Sequence, residues 1–490
     1  MLLSSKMTSR PRVRRAHPRA ELIYLPIILV MALVCRLYPI NRGLGQDELF
    51  SAVNFVEPNS IWRTIFYNDA FNNHIGYSLM ARVSEGLFGH SEWALRLPAL
   101  LLGMASIYLF FLFSRCIVGR PVAIVATFLL ALSPAHVVWS AQARGYSAMI
   151  FCTLLSSYLY LRLLRAPTRR DTVVFVAVSV FGIYVHLYAA FVTLAQILFW
   201  LRRPVYRYTV EQPDRAAGKT PSSMLRRAFV AVVGLSLLCY LPLSLQMLRD
   251  LGTEGHGAFN LALPWIVLQQ LTGSEWPPIE WPPLVVPVMI VAAWGFVSLL
   301  RSWPMEARYF AWLLAGPLAL VWLAHPLYLY ARFFAYWLPY YILFFAAGLH
   351  SLWRLAGTST AGPRRYVAPA LAAAIAAVVV YNWTTNWPQY VPDEGYRAVS
   401  MALLRGAGKS DTFCAIGGAR TVWQYYIRRP IAHPASVAAL QGLSREHGTV
   451  RCAYYDASWQ DAAQTVIAQF LFHHATWSSR QGLAWFVYRR

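Results

Sequence analysis

Two adjacent carboxylates, Asp47 and Glu48, follow the first long apolar segment of the chain, in the stretch NRGLGQDELF at residues 41–50. Carboxylates are costly near hydrocarbon, so their place beside an apolar segment calls for a reason. A carboxylate at a membrane surface could take a proton from a substrate hydroxyl as a general base. The alternative is that both are solvated loop charges that pair with Arg42. The residues alone leave both interpretations open.

Further polar side chains fall near the ends of apolar segments rather than in their middle. They are Arg36, His136, Arg144, His186, His325 and Arg332. With the two carboxylates they would surround a cavity that opens to one face of a membrane, where arginines hold a phosphate and a carboxylate takes a proton. Arginines at segment ends are also common interfacial anchors, and histidines between helices more often form hydrogen bonds than bind a metal.

The composition is that of a polytopic membrane protein. Of the 490 residues, 58% are hydrophobic and only 13% are charged, too few charges for the surface of a soluble domain of this size. The net charge of +22 sits mostly in short loops, and no phosphate loop, zinc-finger spacing or RNA-binding motif is present, so no nucleic-acid partner is expected. The six cysteines have no metal-ligand spacing, and Cys414 and Cys452 are compatible with a disulfide or with two buried thiols.

Eleven membrane spans are predicted from apolar segments long enough to cross about 30 Å of hydrocarbon. They lie near residues 22–40, 97–114, 121–139, 145–163, 172–186, 188–201, 228–246, 283–300, 309–325, 334–352 and 366–383. In this arrangement the segments on the side of the N-terminus hold 24 of the 43 Lys and Arg residues, which predicts that this side is cytoplasmic. Residues 1–21 are then a basic cytoplasmic tail, and residues 22–383 are the transmembrane domain.

Three large regions are consequently predicted at the outer face: the acid-rich loop 41–96, the Trp- and Pro-rich loop 247–282, and the tail 384–490. The tail alternates strand-like and helix-like segments, which predicts a small extracytoplasmic α/β domain. The eleven predicted spans contain no Asp, Glu or Lys. Ion-coupled transporters usually carry such residues near mid-membrane, so this pattern disfavours transport.

Four stretches occur in an order typical of one enzyme family. They are GQDELFSA, NNHIGYSLMARVSEGLFGHSEWALRLPALLLG, SPAHVVWSAQARGYSAM and YARFFAYWLPYYILFFAAGL. Over about residues 20–355 the chain resembles the GT-C polyprenyl-phosphate-sugar glycosyltransferases, relatives of protein O-mannosyltransferases and of the lipid A aminoarabinose transferase (glycosyltransferase family 39-like). The resemblance implies a GT-C-like fold for the membrane part; the tail resembles the family only loosely. Together with the apolar segments and the pattern of the tail, the expected fold is GT-C-like, with about 11 transmembrane helices and a small C-terminal α/β domain.

The resemblance also assigns roles to individual residues. Asp47 stands where the family has its general base, and Glu48, its acidic neighbour, is predicted with it as a catalytic residue. Arg144 and Arg332 match basic positions that would hold the carrier phosphate. The other residues of the predicted substrate site are His74, which matches the histidine of the family's His-Pro-Pro motif, Arg96, Tyr146 and His186.

The chain departs from the family pattern at three places. The stretch His74-Ile75-Gly76-Tyr77 lacks both prolines, Gln142-Ala143-Arg144 lacks a Glu, and Asn72-Asn73 replace an acidic residue that some relatives have. Because relatives differ in acceptor, these changes leave the identity of the acceptor open more than the type of reaction.

The function implied by the resemblance is an inverting transfer of a sugar from a polyprenyl-phosphate carrier to a lipid, glycan or protein acceptor, at the outer face of the inner (plasma) membrane, by a monomer. A monophosphate leaving group beside two arginines need not require a metal, and no cofactor is expected. Two other functions stay open. One is a lipid-linked saccharide flippase or transporter, and the other is a membrane scaffold, in which Asp47 and Arg144 would be replaceable.

Overall fold

The computed structural model describes residues 19–57, 60–67, 72–202, 221–253, 262–272, 282–324, 330–357, 370, 395–417, 420–455, 462–480 and 483–489. This part of the chain is mainly helical, with one five-stranded sheet near the C-terminus. The predicted eleventh span, most of the basic N-terminal tail and His325 lie outside the described residues.

The helices before residue 220 are α1 (Arg19–Ile40), α2 (Gln46–Ser51), a π-helical segment (Ala52–Val56), α3 (Ile61–Phe66), α4 (Ile75–Phe88), α5 (Glu92–Val118), α6 (Arg120–Leu132), α7 (Pro134–Ser140), α8 (Tyr146–Arg165), α9 (Arg169–Val185), a 3₁₀ turn (Leu187–Ala189) and α10 (Ala190–Leu201). The later helices of the bundle are α11 (Pro221–Tyr240), a 3₁₀ turn (Leu241–Leu243), α12 (Ser244–Thr253), α13 (Leu263–Thr272), α14 (Pro282–Ser302), α15 (Pro304–Ala324), a 3₁₀ segment (Ala331–Trp337) and α16 (Leu338–Gly357).

Helices occupy each of the first ten predicted spans. Within the described residues, six helical stretches are long and apolar enough to cross a membrane, and α6 with α7, bent by 60°, would make a seventh if the pair is one span. The chain is therefore a multi-pass membrane protein. The total of about eleven spans and the orientation of the termini stay predictions.

The bend between α6 and α7 follows from Pro134, which has no N–H to donate, and from Ser133 before it, which is extended (φ −61°, ψ 121°). Fully buried Arg36 donates to the carbonyl of Ala131 at the bend (3.1 Å) and lies 2.7 Å from Nδ1 of His136. The bend carries the chain into the loop that ends at Gly145. The sequence predicted that Arg36 and His136 surround one cavity with Asp47. Among the described contacts, however, the two residues contact each other and neither contacts Asp47.

The transmembrane core is a continuous apolar cluster of side chains from α5, α6, α8, α10, α15 and α16. Two glycines permit the tightest helix contact, between α14 and α16. A Cβ added at Gly295 would overlap the backbone of Phe344, and one added at Gly348 would overlap the carbonyl of Val291. Small residues at such positions let helix backbones approach closely.

The C-terminal region is an α/β domain built on a sheet of order β2-β1-β3-β5-β4. Its elements are α17 (Tyr396–Leu404), β1 (Thr412–Gly417), a 3₁₀ turn (Arg420–Trp423), α18 (Gln424–Ile427), β2 (Ile431–Ala432), α19 (Val437–His447), β3 (Thr449–Tyr455), α20 (Ala462–His474), β4 (Thr476–Arg480) and β5 (Leu483–Arg489). Strand β1 is parallel to β2 and β3, and β5 is antiparallel to β3 and β4. Cys414 and Cys452, on β1 and β3, form a disulfide, so the disulfide alternative holds.

This domain packs directly on the loop that follows α1. One apolar cluster contains Leu44 and Leu49 of the loop together with Tyr396 and Trp423 of the domain. Polar contacts add to it: the hydroxyl of Tyr426 accepts a hydrogen bond from the backbone N–H of Leu44 (2.8 Å), and Arg397 pairs with Glu92 (3.1 Å). The loop that carries Asp47 is thus held from the side of the C-terminal domain.

The orientation predicted from loop charges is testable with reporter fusions. We expect fusions at residue 215 and at the C-terminus to lie on opposite faces, because the positive-inside bias puts the first in the cytoplasm and a disulfide favours an oxidising compartment for the second. The measurement is alkaline phosphatase and fluorescent-protein activity of each fusion. Two fusions reporting the same face would contradict the predicted topology and the outward site.

Candidate active site

The loop after α1 is organised by the buried carboxylate of Glu48. This side chain is 4% exposed and accepts four hydrogen bonds: from Nε (2.8 Å) and Nη2 (2.6 Å) of Arg96, from the backbone N–H of Ala143 (2.6 Å) and from that of Gly45 (3.0 Å). Arg96 also donates to four backbone carbonyls, those of Pro39, Ile40, Arg42 and Gly43. The pair therefore joins the end of α1, the start of α2, helix α5 and the loop before α8.

Asp47, the neighbouring residue, has a different environment. Its side chain is 36% exposed, and its Oδ2 forms an ion pair with Nη2 of Arg332 at 2.8 Å. Burial of this carboxyl opposes ionisation, but the charges of Arg144 and Arg332 outweigh it and hold the pKa of Asp47 below its usual value. Asp47 is therefore an ionised carboxylate at neutral pH, able to accept a proton.

Arg144 follows Ala143 in the loop that Glu48 fixes, and it is 3% exposed. Its Nη1 donates to the hydroxyl of Ser51 (2.6 Å), and its Nη2 to the side-chain oxygen of Asn72 (2.5 Å). Both partners are neutral, so they orient the guanidinium without cancelling its charge. Asn72 stands in the pair of residues that replaces an acid of some relatives, and the structure shows what the replacement does: it leaves Arg144 with a neutral partner.

Imidazole and aromatic rings form one wall beside these charges. The rings of His74 and His186 lie 4.6 Å apart, and each lies within 5.5 Å of the ring of Tyr146. Phe333, next to Arg332 in the chain, lies 5.7 Å from His186. Gly145 permits this packing, because a Cβ there would lie 2.8 Å from Nδ1 of His74.

Charge and burial determine the protonation state of this wall and the polar atoms that a ligand could contact. Burial, then the charges of Arg144 and Arg332, hold the pKa of His74 well below its usual value, so it is neutral. The buried polar atoms of the site without a hydrogen-bond partner among the described residues include Nδ1 of His74, Nε of Arg144, the hydroxyl of Tyr146 and Nε2 of His186. Buried polar groups are nearly always paired in native proteins, so these atoms can pair with water or with a polar ligand.

The structure brings most of the predicted site residues together. Asp47, Arg332 and Arg144 form the charged part, and His74, Tyr146 and His186 form the wall. Arg96 lies behind them as the partner of Glu48. Sequence analysis did not single out Ser51, Asn72 or Phe333. Asn72 was visible only as a departure from the family pattern, and Phe333 only as the neighbour of Arg332.

Comparisons with known proteins agree with this architecture. The sequence model of the family described as dolichyl-phosphate-mannose-protein mannosyltransferase matches residues 74–215, less than a third of the chain. ArnT from Cupriavidus metallidurans in the apo state is 11% identical, with a TM-score of 0.61 over 96% of this chain and 98% of that one. The same protein bound to undecaprenyl phosphate is 13% identical, with a TM-score of 0.60 over 96% and 98% of the two chains.

The chain has the GT-C glycosyltransferase fold. The archaeal oligosaccharyltransferase AglB from Archaeoglobus fulgidus, in complex with an inhibitory peptide and a dolichol-phosphate, has a TM-score of 0.52 at 12% identity, covering 95% of this chain and 74% of that one. No curated protein matches the sequence. The GT-C resemblance inferred from sequence is thereby confirmed, and the matched family segment contains His74, Arg144, Tyr146 and His186.

The contacts of Glu48 predict that it positions the site instead of taking part in the chemistry. Glu48→Gln would leave Arg96 buried without a carboxylate, which typically costs roughly 3–5 kcal/mol. We expect a clear loss of thermal stability and folded yield, measured by thermal unfolding in detergent. Asp47→Asn is the matched control, because Asp47 is a third exposed and its loss should leave stability nearly unchanged. A stable but inactive Glu48→Gln variant would instead indicate a chemical role.

Proposed function

We propose that this protein transfers a sugar from a polyprenyl-phosphate carrier to an acceptor at the outer face of the membrane, with inversion at the anomeric carbon. The observation that carries the proposal is the convergence of one ionised carboxylate, Asp47, with two arginines, Arg144 and Arg332, in the loop region of a GT-C fold. The structures of ArnT with undecaprenyl phosphate and of AglB with a dolichol-phosphate support a polyprenyl-phosphate ligand for this fold.

The three charged groups have complementary tasks in such a transfer. The acceptor oxygen attacks the anomeric carbon and forms the new glycosidic bond while the bond from that carbon to the carrier phosphate breaks. The acceptor proton passes to the carboxylate of Asp47, and the carrier leaves as polyprenyl phosphate. Arginines stabilise the negative charge that grows on the departing phosphate, and the base lies on the attacking side.

The ion pair between Asp47 and Arg332 would then belong to the state of the protein in which no donor is bound. A carrier phosphate is a competing anion for Arg332, and its binding would release Asp47 from the pair. A released carboxylate has a higher pKa and is a stronger base. The neutral imidazoles of His74 and His186 and the hydroxyl of Tyr146 would contact the sugar or phosphate oxygens with the polar atoms that have no partner here.

Replacement of the proposed base gives the direct test. Asp47→Asn removes proton acceptance with little change in shape, and we expect transfer to fall by about 10²- to 10⁴-fold, with membrane level unchanged. The measurement is mass spectrometry of lipids and surface glycans from a deletion strain complemented with each variant. Asp171→Asn is the matched control, since Asp171 is ion-paired with Arg162 (3.0 Å) away from this site. Activity of Asp47→Asn within a few-fold of wild type would exclude the proposed role.

The arginines are tested by comparing Ala and Lys replacements at positions 144 and 332. A charge-assisted contact to phosphate contributes roughly 1.5–3 kcal/mol, so we expect Arg→Ala to weaken donor use by about ten- to a hundredfold. Lys keeps the charge but loses the planar two-pronged contact, so Arg→Lys should retain part of the activity. The measurement is turnover against donor concentration, and Arg162→Ala serves as an ion-paired control outside the site. Wild-type turnover in both Lys variants would identify the two arginines as interfacial anchors.

A further inference from the structure

A second, larger cavity lies beside the proposed active site. It has a volume of about 880 Å³ and lies between the end of the π-helical segment, helix α4 and the short helix α18 of the C-terminal domain. Val56, the last residue of the π-helical segment, lines both this cavity and a narrow crevice beside Arg144. The π-helical segment follows α2 directly, so the lining residue Val56 lies nine residues after Asp47 in one continuous helical stretch.

The charged side chains of this cavity are mostly cations. Arg82, Arg428 and Arg429 line it together with His90, Glu57 and Glu85. Nδ1 of His90 lies 3.1 Å from Glu57 and 3.4 Å from Glu85. Hydrogen bonds to Glu57 and then to Glu85 raise the pKa of His90 to about 9, so it is a cation at neutral pH. Among the described residues the cavity therefore has four positive and two negative groups.

Arg428 has an unusual backbone for its residue type. It follows α18 in the left-handed conformation (φ 51°, ψ 30°), and it is the one non-glycine residue with positive φ in the described part of the chain. Helices that end this way usually have Gly at this position. A strained conformation kept by a residue that is not Gly often marks a functional position. The Arg428 side chain is exposed, and no described residue pairs with its guanidinium.

Arg429, the next residue, is better anchored. Its Nη1 donates to the carbonyl of Gly408 (3.1 Å), and its guanidinium lies 5.4 Å from the ring centre of Phe413. One arginine is thus held against the domain while its neighbour extends free, and both line the cavity. Guanidinium groups that line one cavity suit phosphate and carboxylate ligands.

We propose that this cavity binds the anionic saccharide part of the acceptor, a sugar that carries a phosphate or a carboxylate, and presents it toward Asp47. The proposal rests on the proposed function, because it treats the ligand as the acceptor of the same transfer. The saccharide could be the headgroup of a lipid or a soluble glycan, since both present the same chemistry to Arg428 and Arg429.

The test measures binding and not transfer, so its outcome does not depend on the proposed catalytic role of Asp47. The full-length protein in nanodiscs of phosphatidylcholine is titrated with glucose 1-phosphate, glucuronate and glucose by isothermal titration calorimetry. An Arg332→Ala background weakens the proposed donor-phosphate site, so that the remaining binding reports on the cavity. If Arg332→Ala leaves binding unchanged, the proposed donor site is wrong, and the cavity is still measured.

Arg428→Gly is the decisive variant. It removes the guanidinium and relieves the left-handed backbone, so thermal stability should stay equal or rise, and loss of binding could not be attributed to unfolding. In the Arg332→Ala background we expect Arg428→Gly to weaken glucose 1-phosphate and glucuronate binding at least about tenfold. Arg445→Ala, an exposed arginine of α19 that does not line the cavity, should leave binding unchanged.

Three results would overturn the proposal: equal binding with and without Arg428→Gly, equal weakening by Arg445→Ala, or binding of glucose as tight as that of the two anions. Nanodiscs containing phosphatidylglycerol separate the two sources of the ligand. Glucose 1-phosphate binding that is weaker there than in phosphatidylcholine, with this difference lost in Arg428→Gly, would show a lipid headgroup in the cavity, whereas unchanged binding would favour a soluble saccharide.

Discussion

The arrangement of the candidate site depends on one buried carboxylate, that of Glu48. A buried charge is tolerated only when it is fully hydrogen-bonded, and Glu48 meets this condition with four donors from three separate parts of the chain. Those donors fix the start of α2 against α5 and against the loop before α8. Because Asp47 precedes Glu48 and Arg144 follows Ala143, the same bonds bring the proposed base and one proposed phosphate ligand to a common place.

The C-terminal domain completes this restraint from the other side. Leu44 lies four residues before Glu48 and contacts Tyr426 of the domain, and Glu92 lies four residues before Arg96 and contacts Arg397. The short helix α2 has only six residues and would not be stable alone. Packing on both sides therefore stabilises α2. A site that acts through charges requires such an ordered loop, because preorganised groups lose little energy to reorganisation during the reaction.

The sequence predicted the helices and the charged residues of the site, but it could not predict contacts that depend on how distant parts of the chain pack together. The apolar periodicity located ten helices of the bundle, and the charged motifs placed Asp47 with Arg144 and Arg332. Sequence could not divide the tasks of Asp47 and Glu48, because two adjacent carboxylates look alike until the position of Arg96, 48 residues along the chain, is known. Arg36 and His136 were grouped with the site by their place near span ends, but they pair at the bend before α7.

The charges of the site favour a second anion as its ligand. Arg144 and Arg332 face a single described carboxylate, Asp47, while Ser51, Asn72 and the neutral His74 add no negative charge. Two partly or fully buried cations beside one anion are costly to hold out of water, and a second anion would relieve that cost. A monophosphate on a lipid carrier supplies such an anion at the membrane surface. When the bond to the sugar breaks, the phosphate keeps its negative charge beside the arginines. The same two arginines would therefore serve both donor binding and the reaction.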